Sequence, residues 1–228
     1  MGKLPGNPVI RMGMDPKCAQ MNAGKLTVQE TVMANLDGGL GNVFVSLQGS
    51  FPQATIPSEP VTIDQRGCVY RPRVLGIRAG QMLQIRNDDD VLHNLHASSA
   101  RGNSFNVSQP KAGVVQQFRL KSEETMVHVT CDVHSWMNAF VGVVSHPYFA
   151  VTGSTGAFEI LNVPDGTYQI NAWHERYGLL TRTIRVRAGA VTNVSLSYTG
   201  AEKPSASIRE LMMPGDSPVA ELLLTTAR

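Results

Sequence analysis

Apolar and polar residues alternate with a period of two along most of the chain, the mark of strands buried on one face. Residues 26–32 alternate, Asp37-Gly38-Gly39-Leu40-Gly41 breaks the run as a turn, and 42–48 resumes it. Further strand segments fall at 60–63, 68–70, 74–77, 82–86, 93–97, 114–120, 126–131 and 139–144, several of them punctuated by glycine or proline. No window carries a sustained 3.6-residue repeat. Eight or more short strands in about 145 residues predict a β-sandwich.

A seam follows at His146-Pro147-Tyr148, and beyond it the same grammar restarts on a smaller scale. Residues 151–160 read as strand, tight turn and strand. Val163-Pro164-Asp165-Gly166 predicts a hairpin turn, with proline presetting one dihedral and glycine accepting a positive φ. Segments 167–173, 181–187 and 191–198 alternate again, which predicts a second, smaller sandwich. From Glu202 the chain carries Pro204, Pro214 and Pro218 and no strand pattern. This predicts a tail with one short helix near 208–213, whose Leu211, Met212, Met213 and Leu222 to Leu224 are available to a partner. The expected organisation is an N-terminal extension (1–24), a first sandwich (25–147), a second (148–200) and the tail (201–228).

Composition narrows the function classes. With 42% hydrophobic and 17% charged residues and a mean hydropathy of -0.10, the chain is that of a folded protein. No stretch approaches the roughly 18–20 apolar residues of a spanning helix. Twenty Lys and Arg against eighteen Asp and Glu leave +2, which makes no electrostatic case for nucleic acid. Met1 to Gly6 contain no apolar export region, so the chain is read either as cytosolic or as a mature form whose signal has been removed. Three cysteines, Cys18, Cys68 and Cys131, suggest one pair and one thiol with a separate task. A Cys18–Cys68 disulfide would imply an oxidising compartment. Spacing alone leaves two unpaired thiols as the alternative.

The chemistry concentrates in Cys131-Asp132-Val133-His134-Ser135-Trp136-Met137, where a thiolate, an imidazole and a thioether stand three residues apart between two strands. His93, from a distant segment, can complete the set. Two imidazoles, one thiolate and a weak axial thioether describe a blue-copper electron-transfer site. The competing readings are core packing of Cys131 and Met137, and zinc, which an axial methionine disfavours.

These residues resemble the cupredoxin family, in particular its amicyanin-like and plastocyanin-like members. Their C-x2-H-x2-M spacing is matched by Cys131, His134 and Met137, and their H-N-x-H segment by His93-Asn94-Leu95-His96. The resemblance covers roughly residues 25–145. It implies one type 1 copper on His93, Cys131, His134 and Met137, with His96 not a ligand and Asn94 bonding across to the ligand loop. Ser135 stands where the family carries proline, and the chain before residue 60 is longer than in a minimal member. The segments 152–160, 162–168 and 173–175 resemble carboxypeptidase-regulatory-like, transthyretin-like sandwiches. The combination resembles methylamine-utilisation-type plastocyanin-like proteins of bacteria.

The resemblance implies an all-β periplasmic electron carrier working between larger redox protein partners. The alternative is an accessory subunit of a membrane-bound redox complex, with copper secondary or absent. No further histidine cluster offers a second metal with an open position, so the chain is expected to be a carrier and no enzyme. His128 should face away from Cys131 by strand alternation, and His146 and His174 are read as structural. Asn87-Asp88-Asp89-Asp90 is read as a solvated turn or an acidic docking spot. Trp136 and Phe140 are read either as an apolar patch around His134 or as buried.

Overall fold

The computed structural model describes residues 6–199 and the backbone of Leu222–Leu224. In chain order the elements are α1 (Pro16–Met21), β1 (Phe44–Gln48), β2 (Val61–Gln65), β3 (Tyr70–Arg71), β4 (Val74–Arg78), β5 (Met82–Asn87), β6 (His93–Ser98), β7 (Phe105–Gln109), β8 (Val115–Arg119), β9 (Glu124–Thr130), β10 (Asn138–Val144), β11 (Phe149–Val151), β12 (Gly166–His174), β13 (Gly178–Val186), β14 (Leu196–Tyr198) and β15 (Leu222–Leu224). The fold is all-β. Its chain divides into two compact units interleaved in sequence: Pro8–Gln29 with Gln53–Pro147, and Glu30–Pro52 with the chain from Tyr148 on.

The first unit is a sandwich of a five-stranded sheet, ordered β4-β10-β9-β6-β7, and a four-stranded sheet, ordered β3-β2-β5-β8. Strand β5 alternates, burying Leu83, Ile85 and Asn87, as a strand with one face on a core must. All seven residues of β10 are buried. It is an interior strand, parallel to β4 on one side and antiparallel to β9 on the other, which is why its sequence is a near-continuous apolar run. Ile63, Leu83 and Ile85 from one sheet share a core with Ile77, Leu95 and Val129 from the other. Each such burial is worth about 1.5–3 kcal/mol.

In the second unit the sheet order is β11-β1-β12-β13, and β14 pairs with β15. Here the structure corrects the expected boundaries. Segment 42–48, read as part of the first sandwich, forms β1 between β11 and β12, with Ser46 opposite both Phe149 and Asn171. Period-two alternation shows that a strand has two faces; it says nothing about which sheet takes it. Segment 26–32 makes a single bridge, Val9 to Val28, and no strand. The expected hairpin at 151–160 is strand only as far as Val151, followed by a turn closed from Gly156 N–H to the Gly153 carbonyl. Gly156 sits at φ +75°, and a Cβ there would lie 2.6 Å from the Leu40 amide. Backbone Leu222–Leu224 pairs with β14 where no strand was expected. The helix expected at 208–213 lies outside the described residues.

Helix α1 was not expected either. It is six residues long, too short for a periodic signal, and is set by its start: Asp15 is the N-cap and Pro16 follows as the first helical residue.

Candidate metal centre

Strand β6 opens with His93, and the seven-residue loop 131–137 joins β9 to β10. The loop closes on itself: the Met137 N–H donates to the His134 carbonyl at 2.9 Å and the Cys131 N–H to the Met137 carbonyl at 3.3 Å. This brings one donor atom each of His93, Cys131 and His134 within 4.8 Å of one another. The Nδ1 atoms of His93 and His134 are 3.1 Å apart, and Cys131 Sγ lies 3.7 Å from His134 Nδ1. Met137, the fourth residue singled out in the sequence, is buried in the same loop.

Each imidazole is held from behind by a carboxylate. His93 Nε2 lies 3.0 Å from Asp89 Oδ2, and His134 Nε2 lies 3.1 Å from Asp15 Oδ2. An ionised carboxylate can only accept, so both Nε2 atoms carry the proton and donate. Both Nδ1 lone pairs then point inward, at each other and at a cysteine sulfur. In that tautomer the facing nitrogens and sulfur offer lone pairs to a cation, whether a proton or a metal ion. The donor set therefore fits a soft-to-borderline metal ion. The 3.1 Å spacing fits as well, since imidazole nitrogens bond such ions at about 2.0–2.1 Å.

The electrostatics agree. Burial alone would push the Cys131 thiol up, but bonding to His93 and to the backbone N–H groups of Asn94, His134 and Val133 outweighs it, holding the thiol at about 7. That is the environment of a thiolate ligand. Asp89, although buried, is held below the usual carboxylate range by His93 and by the N–H groups of Cys68 and Gly67. Asp15 is lowered by the Cys18 N–H and by His134. Burial would lower His93, but Asp89 and Cys131 raise it, as expected where a proton can take a cation's place. Burial and the nearby Cys131 keep Tyr70 protonated. Its hydroxyl donates to the Asn94 and Thr130 carbonyls at 2.5 and 3.1 Å, tying β6 to β9.

Asn94 connects the two ligand segments: its N–H donates to Cys131 Sγ at 3.3 Å, and its Oδ1 accepts the Asp132 N–H at 3.0 Å. His96 lies apart, its Nδ1 2.9 Å from Asp132 in an exposed pair. His128 bonds Asn138 at 2.8 Å and stacks on Phe140, away from the trio. Phe140 is buried and belongs to no surface patch. Trp136 is half-buried, with its ring centre 5.0 Å from that of His134. His146 and His174 are buried elsewhere. Cys18 and Cys68 form a disulfide.

Sequence reasoning missed Asp15 and Asp89. The run 87–90 is no simple solvated turn, because Asn87 and Asp89 point inward. Asp89 Oδ1 accepts the Gly67 N–H and Oδ2 the Cys68 N–H, each at 2.8 Å. An Asp-Pro pair opening a helix was the available local signal for Asp15. Nothing local connects it to His134, 119 positions away.

Comparison with known proteins gives three findings. The sequence family described as Polysaccharide lyase family 4, domain II matches residues 120–194. It includes parts of both units and replaces the expected transthyretin-like resemblance of residues 148–200. None of the curated proteins matches. Among solved structures, a Cu-containing nitrite reductase from Thermus scotoductus is 20% identical, with 42% of this chain and 25% of that chain covered and a TM-score of 0.35. A purple cupredoxin from Nitrosopumilus maritimus is 24% identical over 36% of this chain and 97% of that one, with a TM-score of 0.32. An amicyanin variant in its Cu(I) form is 16% identical over 43% and 97%, with a TM-score of 0.34. The structural neighbours are thus cupredoxins at low TM-score. The expectation that the chain is no enzyme is withdrawn, because a copper reductase stands among those neighbours. Enzyme status is not established. No helix among the described residues is long and apolar enough to cross a membrane.

Proposed function

We propose that this protein is a type 1 copper protein that passes single electrons between larger redox partners outside the cytoplasm. The observation carrying this reading is the pair of inward-facing, buried Nδ1 atoms 3.1 Å apart, with the Cys131 sulfur beside them. His93, Cys131 and His134 would hold the ion, with Met137 of the same loop as a fourth, weaker ligand. Copper would supply a one-electron couple in a site tolerable to both oxidation states.

The chain's own residues keep that site rigid. Asp89 and Asp15 fix the two rings, which sets their tautomer and orientation. Asn94 ties the Cys131 loop to β6, and Tyr70 ties β6 to β9. Burial excludes bulk water, so the donor atoms need rearrange little as charge changes. The Cys18–Cys68 disulfide supports an oxidising compartment such as the periplasm. In this reading the second unit serves attachment, since none of the His, Cys and acidic groupings suited to a metal falls among its described residues.

The test is to load purified protein with copper(II). An intense visible charge-transfer band that disappears in Cys131→Ser and persists in Met137→Leu with a shifted potential supports the reading. A colourless adduct, or a blue Cys131→Ser protein, overturns it.

A further inference from the structure

The metal centre as usually bounded ends at its ligands, yet a segment more than a hundred residues upstream touches the back of His134. Asp15 divides its two carboxylate oxygens between two tasks. Oδ1 accepts the Cys18 N–H at 2.9 Å and so caps α1, while Oδ2 lies 3.1 Å from His134 Nε2. Cys18 Sγ lies 3.6 Å from the same nitrogen. His134 is consequently only 1% exposed.

The position of Asp15 is itself fixed. Its short helix carries Cys18, and the disulfide joins it to Cys68. Cys68 is anchored three ways: its N–H to Asp89, its carbonyl to the Trp136 indole N–H at 2.8 Å, and its sulfur to Cys18. Gly67 and Cys68 both adopt left-handed backbone, at φ +66° and +58°, so two successive N–H groups can clasp the Asp89 carboxylate. For a non-glycine residue this conformation must be held by its surroundings. Lys17 Nζ donates to the Asp90 carbonyl at 2.7 Å, and Asn22 Nδ2 to the Gly67 carbonyl at 3.0 Å. The segment 15–22 is therefore strapped to the same turn that holds His93.

We propose that Asp15, held by the Cys18–Cys68 disulfide, is the positioning residue that aims the ring of His134 at the metal and seals its outer edge. This rests on the copper reading above. A flip of the ring would withdraw Nδ1 from the centre and break the bond to Asp15, so the carboxylate selects one orientation. A redox partner approaching His134 from this side meets the strap and not the imidazole.

The experiment separates the two oxygens. Asp15→Ser keeps a helix cap, since serine also accepts at that position, but is too short to reach His134. Copper(I) transfer to a competing chelator should be about 10–100-fold more favourable from Asp15→Ser than from the parent. Cys18→Ser should shift in the same direction. Nitrogen-15 NMR of the copper(I) protein should show a slowly exchanging His134 Nε2 proton in the parent, lost in Asp15→Ser. Unchanged copper(I) retention and an unchanged His134 signal in Asp15→Ser would overturn the inference. A parent whose His134 Nε2 proton exchanges freely would also overturn it, whatever the variants do. A parent that binds no copper fails earlier, in the absorption measurement, and removes the copper reading as well.

Discussion

Cys18 Sγ lies 3.6 Å from Nε2 of His134, although 116 positions separate the two residues in sequence. The disulfide and its two neighbouring carboxylates thus form one outer frame. Asp89 holds His93 and the Cys68 backbone, and Asp15 holds His134 and the Cys18 backbone. The candidate metal centre and the covalent staple of this unit are a single structural object.

Replacing Asp89 should harm the site and its support together. Asp89→Ala leaves His93 Nε2 and the N–H groups of Gly67 and Cys68 without their acceptor. Copper affinity should fall about 10–100-fold by chelator competition, and less in Asp89→Asn. Affinity unchanged in Asp89→Ala would show that His93 is oriented by packing alone.

The disulfide closes a sequence separation of 50, for which chain entropy gives about 4 kcal/mol of stabilisation. The Cys18→Ser/Cys68→Ser double variant should unfold at a correspondingly lower urea concentration in the metal-free state. An unchanged midpoint would mean that the strap's hydrogen bonds suffice without the staple.

Acid stability should respond at Glu123. Its carboxyl is held below the ordinary range by hydrogen bonding from Ser145, against a smaller opposing effect of burial, with the backbone N–H of Ser145 and the charge of His146 assisting. The native pKa is therefore lower than the unfolded one. The contribution is present above the unfolded carboxylate range and is lost as pH falls through the native value. Glu123→Gln should narrow the difference between urea midpoints at neutral and acidic pH. An equal difference in both proteins would dismiss the contribution.

Ending the chain at Pro147 should not yield a clean single domain. Val43, Val45 and Leu47 pack in the core of the second unit, and β1 would lose both of its neighbours, β11 and β12. The shortened protein should retain its copper band, because every residue of the trio lies in the other unit, but it should self-associate on gel filtration through the bared strand. A monomeric shortened protein would show that residues 42–48 find another cover.

The alternation of residues such as 82–86, 93–97 and 126–131 made the strands legible, because a half-buried strand must place apolar side chains at every second position. The nearness of Cys131 and His134 was legible for a similar reason: a single short loop carries both, so their closeness in sequence becomes closeness in space. Asp89 stood in plain view within an acidic run, yet its inward direction is set by the Gly67 and Cys68 amides, which come from another turn.

By itself the sequence determined an all-β chain, most of its strand positions, and a thiol, two imidazoles and a thioether at metal-ligand spacing. These are consequences of local periodicity and of neighbours along the chain. Tertiary structure alone decided that residues 42–48 join the second unit and that Asp15 closes over His134. It also decided that a disulfide sulfur borders the His134 ring. Each of these joins segments far apart in sequence, and such pairings are selected by the packing of whole surfaces, which no local pattern encodes.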